Sequence, residues 1–76
     1  MIKVSITEYK TNSVGEIDRT KSSVTYFETL DLKDFDELFR YVKLLNPKKM
    51  VNVRYENGER YISVVSSEYR KYIKII

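Results

Sequence analysis

The densest group of side chains that could perform acid–base or metal chemistry lies near the middle of the chain. Asp34, Asp36 and Glu37 follow one another closely, with Asp31 just before them. Clustered carboxylate oxygens can bind a hard cation such as Mg²⁺, or act as an acid and a base. Acidic residues are also favoured in the first turn of a helix, where they interact with the positive end of its dipole. We therefore expect these carboxylates to begin a helix and to form an acidic contact surface.

Residue types that most active sites require are absent. The chain has no His and no Cys, so the common zinc, haem and iron–sulfur ligand sets cannot form, nor can Ser–His or Cys–His nucleophile pairs. Its two glycines, Gly15 and Gly58, are isolated, so there is no glycine-rich phosphate loop. We expect a protein that is not an enzyme and that uses no metal or cofactor.

Basic and aromatic residues are interleaved in the second half of the chain. Residues 40–76 have nine basic and three acidic side chains, a net charge of +6, whereas residues 1–39 have a net charge of −3. Aromatic faces that stack on bases, beside Lys or Arg that contact phosphates, are typical of single-strand nucleic-acid binding. The residues that could bind in this way are Arg54, Tyr61, Lys48, Lys49, Arg70 and Lys71. The alternative is that these basic residues form an ordinary solvated surface.

The start of the chain has the pattern of a half-buried strand followed by a loop. Ile2, Val4 and Ile6 alternate with polar residues, which predicts a strand over residues 2–10. The polar stretch over residues 11–21 cannot bury a continuous face, so it predicts a long loop.

A second strand is predicted over residues 22–29, which are rich in β-branched and aromatic side chains. We expect it to pair antiparallel with the first strand. The pattern does not decide which of its faces points inward, because Val24 and Tyr26 lie on one face and Phe27 on the other.

A helix is predicted over residues 32–45. Asp31 is placed to cap it, and Asn46-Pro47 ends it because proline cannot continue a helix. Apolar residues recur at helical spacing along it: Phe35, Leu38, Phe39, Val42 and Leu45.

A β-hairpin is predicted around Asn57-Gly58, a dipeptide that tolerates the two positive φ angles of a type I′ turn. The flanking strands are residues 50–56 and 59–65. A two-residue turn places Val53 opposite Ile62 on the face that we expect to contact the helix. The opposite face then carries polar side chains, which are Asn52, Arg54, Tyr61 and Ser63.

The tail, residues 66–76, can be interpreted in two ways. Tyr69, Tyr72, Ile73 and Ile76 have the i, i+3, i+4, i+7 spacing of an amphipathic helix. We expect a short second helix docked on the core, and a terminal strand is the alternative.

These elements predict an α+β fold of order ββαββα, with a four-stranded, mostly antiparallel sheet covered on one face by helices. At 76 residues the chain has room for a single domain, 1–76. No apolar run reaches the roughly 18 residues that a membrane span requires, and no signal-peptide pattern begins the chain. We expect a cytoplasmic protein. An open edge strand would permit a homodimer.

The segment from Tyr26 to Phe39 has aromatics followed by a Leu-x-Leu-x-Asp-Phe-acidic-x-Leu-aromatic pattern. In this it resembles the strand-to-helix passage of small phage-encoded inhibitors of uracil-DNA glycosylase. The resemblance implies a small α/β unit whose acidic surface mimics DNA, with Phe35 and Asp36 at the inhibitory surface. More broadly, a tiny, His-free chain rich in Tyr and Lys resembles in style the small proteins with which phages and mobile elements block host enzymes, including anti-CRISPR proteins.

The function expected from the sequence is therefore a protein-interaction module, in the form of an inhibitor from a phage or mobile element that blocks a host nucleic-acid-processing or defence enzyme. The expected partner is a protein rather than a membrane, and nucleic acid is the alternative partner. The residues expected to contact a protein partner are Asp34, Asp36, Glu37, Arg54, Tyr61 and Arg60.

Overall fold

The computed structural model, which describes residues 1–76, has a five-stranded sheet with a single helix on one side. In chain order the elements are β1 (Ile2–Lys10), β2 (Val24–Leu30), α1 (Phe35–Leu45), β3 (Met50–Glu56), β4 (Glu59–Val65) and β5 (Tyr69–Ile75). The strands lie in the order β2-β1-β5-β4-β3, and every neighbouring pair is antiparallel. No helix is long and apolar enough to cross a membrane.

The predicted order ββαββα with a four-stranded sheet is wrong, because the tail forms a fifth strand instead of a second helix. β5 pairs with β1 on one side and with β4 on the other. Tyr69 packs against the core and Ile73 is buried within it, whereas Tyr72 points to the other side of the sheet. A short terminal helix gains little stability alone, whereas a strand between two others has hydrogen-bond partners on both sides.

The predicted hairpin is confirmed. Asn57 and Gly58 both have positive φ, 52° and 80°, as a type I′ turn requires. Val53 pairs with Ile62 in the expected register, and Ile62 is fully buried in the core.

The helix begins later than predicted, at Phe35 instead of residue 32, and its cap is Asp34 instead of Asp31. The Asp34 carboxylate accepts a hydrogen bond from the Glu37 backbone N–H at 3.0 Å. The Glu37 carboxylate accepts one from the backbone N–H of Lys33, the residue before the cap, at 3.1 Å, so both side chains satisfy backbone N–H groups at the helix start. Leu32 lies outside the helix and packs against the core.

The core lies between the sheet and α1. Its eight buried hydrophobic residues are Val4, Ile6, Phe35, Leu38, Val42, Ile62, Val64 and Ile73. The predicted first and second strands are confirmed as β1 and β2, and the open question about β2 is resolved. Tyr26 and Leu30 pack against the core, whereas Phe27 lies on the opposite side and is exposed.

Because α1 connects β2 at one edge with β3 at the other, it crosses the sheet on one side only. The opposite side, called here the open face, has no helix over it. In every strand, the side chains that do not face the core point to this side. The candidate site lies on it.

Candidate functional site

Three tyrosines from three adjacent strands form a row on the open face. They are Tyr9 of β1, Tyr72 of β5 and Tyr61 of β4. Tyr72 pairs with Thr7 and with Ser63, so Tyr9 and Tyr61 lie one diagonal step away on either side. The ring centroids of Tyr9 and Tyr72 are 5.7 Å apart and those of Tyr61 and Tyr72 are 5.4 Å apart, both in edge-to-face geometry.

The row forms the floor of a groove of about 530 Å³. Ile17 and Arg19 of the β1–β2 loop line it on one side, and Glu56 and Asn57 of the hairpin turn line it on another. We call this site the tyrosine groove, and its lining residues are Ser5, Thr7, Tyr9, Ile17, Arg19, Glu56, Asn57, Glu59, Tyr61, Tyr72 and Lys74. A volume of this size is within the range typical of ligand sites.

The loop wall of the groove is fastened to the sheet. Arg70 of β5 donates a hydrogen bond through Nη2 to the Gly15 carbonyl at 3.0 Å. The Thr11 hydroxyl donates to the Ser67 carbonyl at 2.8 Å. Gly15 has a φ of +84°, a left-handed conformation that glycine adopts without strain. The Arg70 Nε is buried without a partner, so the guanidinium is only partly satisfied by the loop.

A turn within the loop is stabilised by Asp18. Its carboxylate accepts hydrogen bonds from both the hydroxyl and the backbone N–H of Thr20, at 2.6 and 3.0 Å. These bonds lower the pKa of Asp18, since they favour the ionised form. Asp18 also donates its backbone N–H to the Lys10 carbonyl at 2.8 Å, which joins the loop to the end of β1.

The charges that line the tyrosine groove are balanced. Two cations, Arg19 and Lys74, face two carboxylates, Glu56 and Glu59. The Lys74 ammonium donates to the Glu59 carboxylate at 2.9 Å. Burial and the nearby Glu56 carboxylate raise the pKa of Tyr61, so its hydroxyl is held neutral. The groove thus offers aromatic surface, neutral hydroxyls and both signs of charge, which is the chemistry of recognition.

The chain matches no protein-family model, no curated protein and no solved structure.

The structure separates the residues predicted to contact a protein partner into two groups. Arg54 and Tyr61 are register partners on the open face, beside the groove or in it. Arg60 lies on the other side of the sheet, with its guanidinium carbon 4.2 Å from the centre of the Phe35 ring. The acidic group, Asp34, Asp36 and Glu37, lies at the start of α1, on that same side.

The residues predicted for nucleic-acid binding are divided in the same way. Arg54, Tyr61 and Arg70 are on the open face, where Arg70 is engaged by the loop. Lys49 and Lys71 lie on the helix side, with their ammonium groups 4.8 and 5.0 Å from the centre of the Tyr69 ring. Lys48 is exposed in the turn between α1 and β3.

Sequence reasoning found Tyr61 and missed the other two tyrosines. The helical spacing of the tail places Tyr72 on a helix, and Tyr9 has no feature that marks it beyond its place in a strand. The period-2 pattern of the tail, with Tyr72 out of phase with Tyr69 and Ile73, could have placed Tyr72 on the open face. No group of three or more acidic side chains lies close enough together to hold a metal ion.

Proposed function

We propose that this domain is a protein-binding module and that the tyrosine groove contacts the partner. The observation that carries the proposal is the row of Tyr9, Tyr72 and Tyr61 in mutual contact on the uncovered side of the sheet. Tyrosine is enriched at the energetic centres of protein interfaces, because its rigid ring buries a large area while its hydroxyl still forms hydrogen bonds. Rings that already pack together lose little freedom on binding.

The balance of charge favours a polypeptide over a nucleic acid at this site. A phosphate backbone requires a surplus of cations, since its affinity comes largely from neutralising phosphates. In the groove, Glu59 neutralises Lys74, and Glu56 lies beside Tyr61. A protein partner can supply charges of both signs and so complement both carboxylates and cations.

Blocking a nucleic-acid-processing or defence enzyme is the specific form of this proposal, and the resemblance of residues 26–39 to phage inhibitors supports it. Of the two positions that the resemblance places at an inhibitory surface, Asp36 is exposed, whereas Phe35 is buried beneath Arg60. The acidic start of α1 would then form a second contact without Phe35, on the side of the sheet opposite the tyrosine groove.

Binding of single-stranded nucleic acid is the second candidate, and a different site favours it. The ammonium groups of Lys49 and Lys71 lie over the Tyr69 ring. Single-strand binding proteins combine aromatic side chains, on which bases stack, with nearby cations that contact phosphates. Glu8 lies 3.8 Å from the Lys71 ammonium and reduces the surplus of positive charge there.

The test is capture of partners by the immobilised domain from a lysate of the source organism, with and without nuclease, followed by affinity measurement on the captured partner. Tyr61→Ala and Tyr72→Ala should each weaken binding by at least 2 kcal/mol, roughly 30-fold, as interface hot spots do. Tyr41→Ala is the matched control, because Tyr41 is an exposed tyrosine on α1, away from the groove.

Three outcomes decide between the candidates. Nuclease-resistant capture of one enzyme, weakened by Tyr61→Ala but not by Tyr41→Ala, supports the groove. Unchanged affinity in both groove variants, with thermal melts matching the parent, contradicts it. Capture that disappears with nuclease supports the nucleic-acid candidate instead.

A further inference from the structure

The two edges of the sheet differ in how they are protected. β3 carries Arg54 and follows Pro47, Lys48 and Lys49, which are the residue types that natural sheets use to block edge pairing. β2 has the sequence VTYFETL, with no Lys, Arg or Pro and a single charge. Its Phe27 and Val24 are 58% and 56% exposed. β3 also exposes apolar side chains, Met50 and Tyr55, so what distinguishes the β2 edge is that the strand has neither a basic residue nor a proline beside it.

Along a strand, the backbone N–H and C=O groups of successive residues point alternately to its two sides, and this alternation shows which backbone groups of β2 point outward. The Ile76 N–H donates to the Lys3 carbonyl and the Thr11 N–H to the Glu68 carbonyl, so odd-numbered residues of β1 direct their backbone groups towards β5. Even-numbered residues of β1 consequently face β2.

The even-numbered residues of β2 pair with these positions of β1, as Tyr26 does with Ile6. Their backbone groups point inward. The N–H and C=O groups that point away from the sheet then belong to Thr25, Phe27 and Thr29.

We propose that β2 pairs antiparallel with β2 of a second copy of this chain, with Phe27 on the two-fold axis. In that register every outward N–H and C=O of the strand meets a partner, because Thr25 lies opposite Thr29 of the second copy and Phe27 lies opposite Phe27. The remaining pairs are Val24 with Leu30 and Tyr26 with Glu28. No like charges are opposed, and the Tyr26 hydroxyl lies opposite the only carboxylate of the strand.

The pairing joins two five-stranded sheets into one of ten strands. Residues opposite each other across an antiparallel pair point to the same side, so both α1 helices lie on one side and both tyrosine grooves on the other. Phe27 stacks on its symmetry mate on the groove side. The assembly closes as a dimer, because the outer edges are the defended β3 strands.

Sedimentation of the full chain over concentrations up to about 1 mM tests the proposal. The parent should dimerise, and Phe27→Lys should raise the dissociation constant at least about tenfold, since two like charges then oppose each other on the axis. Tyr55→Lys is the matched control, because Tyr55 is an exposed aromatic, 73% exposed, on the β3 edge. It should leave the dimer unchanged.

A parent that stays monomeric overturns the proposal, and so does a Phe27→Lys chain that dimerises as the parent does. Dissociation by Tyr55→Lys alone would assign the interface to β3 instead. Thermal melts of both variants confirm folding, which their exposed positions should preserve.

Cross-linking tests the register itself. The chain has no Cys, so Phe27→Cys introduces the only thiol. Opposed residues of a hydrogen-bonded pair have Cα atoms about 5.5 Å apart, within the range that a disulfide spans. Mild oxidation should convert Phe27→Cys to a covalent dimer and should give little covalent dimer of Tyr55→Cys. A parent that dimerises while Phe27→Cys fails to cross-link would overturn the register.

Discussion

Tyr61 is the residue at which the groove's electrostatics can be measured most directly. Burial and the Glu56 carboxylate both disfavour loss of its proton, and Arg54 opposes them only in part. The pKa of Tyr61 is therefore higher in the folded chain than the value of about 10 in the unfolded chain. Its contribution to stability is complete below pH about 10 and is lost as the pH rises through the raised pKa.

We accordingly expect Tyr61→Phe to flatten the alkaline loss of stability. Between about pH 10 and the raised pKa, the unfolded parent gives up the Tyr61 proton while the folded parent keeps it, so the parent loses stability there. Tyr61→Phe has no proton to lose at this position. Urea midpoints measured across this range should fall less steeply for Tyr61→Phe than for the parent. Tyr55→Phe, at an exposed tyrosine, should follow the parent, and equal slopes in all three would contradict the assignment.

The sequence pattern identifies part of the candidate site. Tyr61 could be placed on the open face because the Asn57-Gly58 turn fixes the hairpin register within a few residues. Tyr9 and Tyr72 could not be joined to it, since the contact depends on β5 lying between β1 and β4. That strand order comes from long-range pairing, which no local pattern records.

At the scale of elements, the start of α1 shows how closely spaced carboxylates compete for one role. Asp31 and Asp34 are both capping types, and both are followed three residues later by an acidic residue. The acidic residue that follows Asp34, Glu37, accepts a hydrogen bond from the Lys33 backbone N–H, which lies before the helix. The acidic residue that follows Asp31 is Asp34 itself, which caps the helix. The Lys33 hydrogen bond and the one that the Asp34 carboxylate accepts from the Glu37 backbone N–H together select Asp34 as the cap.

Asp34→Ala should cost about 1 kcal/mol of unfolding free energy, because the Glu37 backbone N–H loses its acceptor. Asp31→Ala removes the same charge from an exposed residue just outside the helix, so its effect should remain within about 0.5 kcal/mol. Urea unfolding of the two variants measures the difference. A larger loss for Asp31→Ala would mean that the helix starts at residue 32 after all.

Elements with strong local signals were predictable, and the tail was not. The hairpin and the end of α1 depend on turn and proline residues a few positions apart. Tyr69, Tyr72, Ile73 and Ile76 fit a helical spacing, while Tyr69, Ile73 and Ile75 also fit a period of two. A segment so ambiguous takes the form that its neighbours in space stabilise.

For the molecule as a whole, β5 holds the sheet together. It lies in the middle of the order β2-β1-β5-β4-β3. One neighbour is β4, which precedes it in sequence, and the other is β1, from the opposite end of the chain. Without it, β2-β1 and β4-β3 would be two separate pairs with only α1 to connect them. Ile73 of β5 also pairs with both Ile6 and Ile62 at the centre of the core.

Removal of residues 66–76 should therefore abolish cooperative unfolding. Isolated two-stranded pairs are marginal in water, and the truncated chain would keep two of them without a shared neighbour. Circular dichroism should show no sigmoidal urea transition, and amide resonances should lose their dispersion. Removal of Ile76 alone is the control, because this residue follows β5 and is exposed, so the transition should persist. If the chain ending at Val65 unfolded cooperatively with a similar urea slope, it would bury about as much surface as the parent, and β5 could not be the strand that unites the fold.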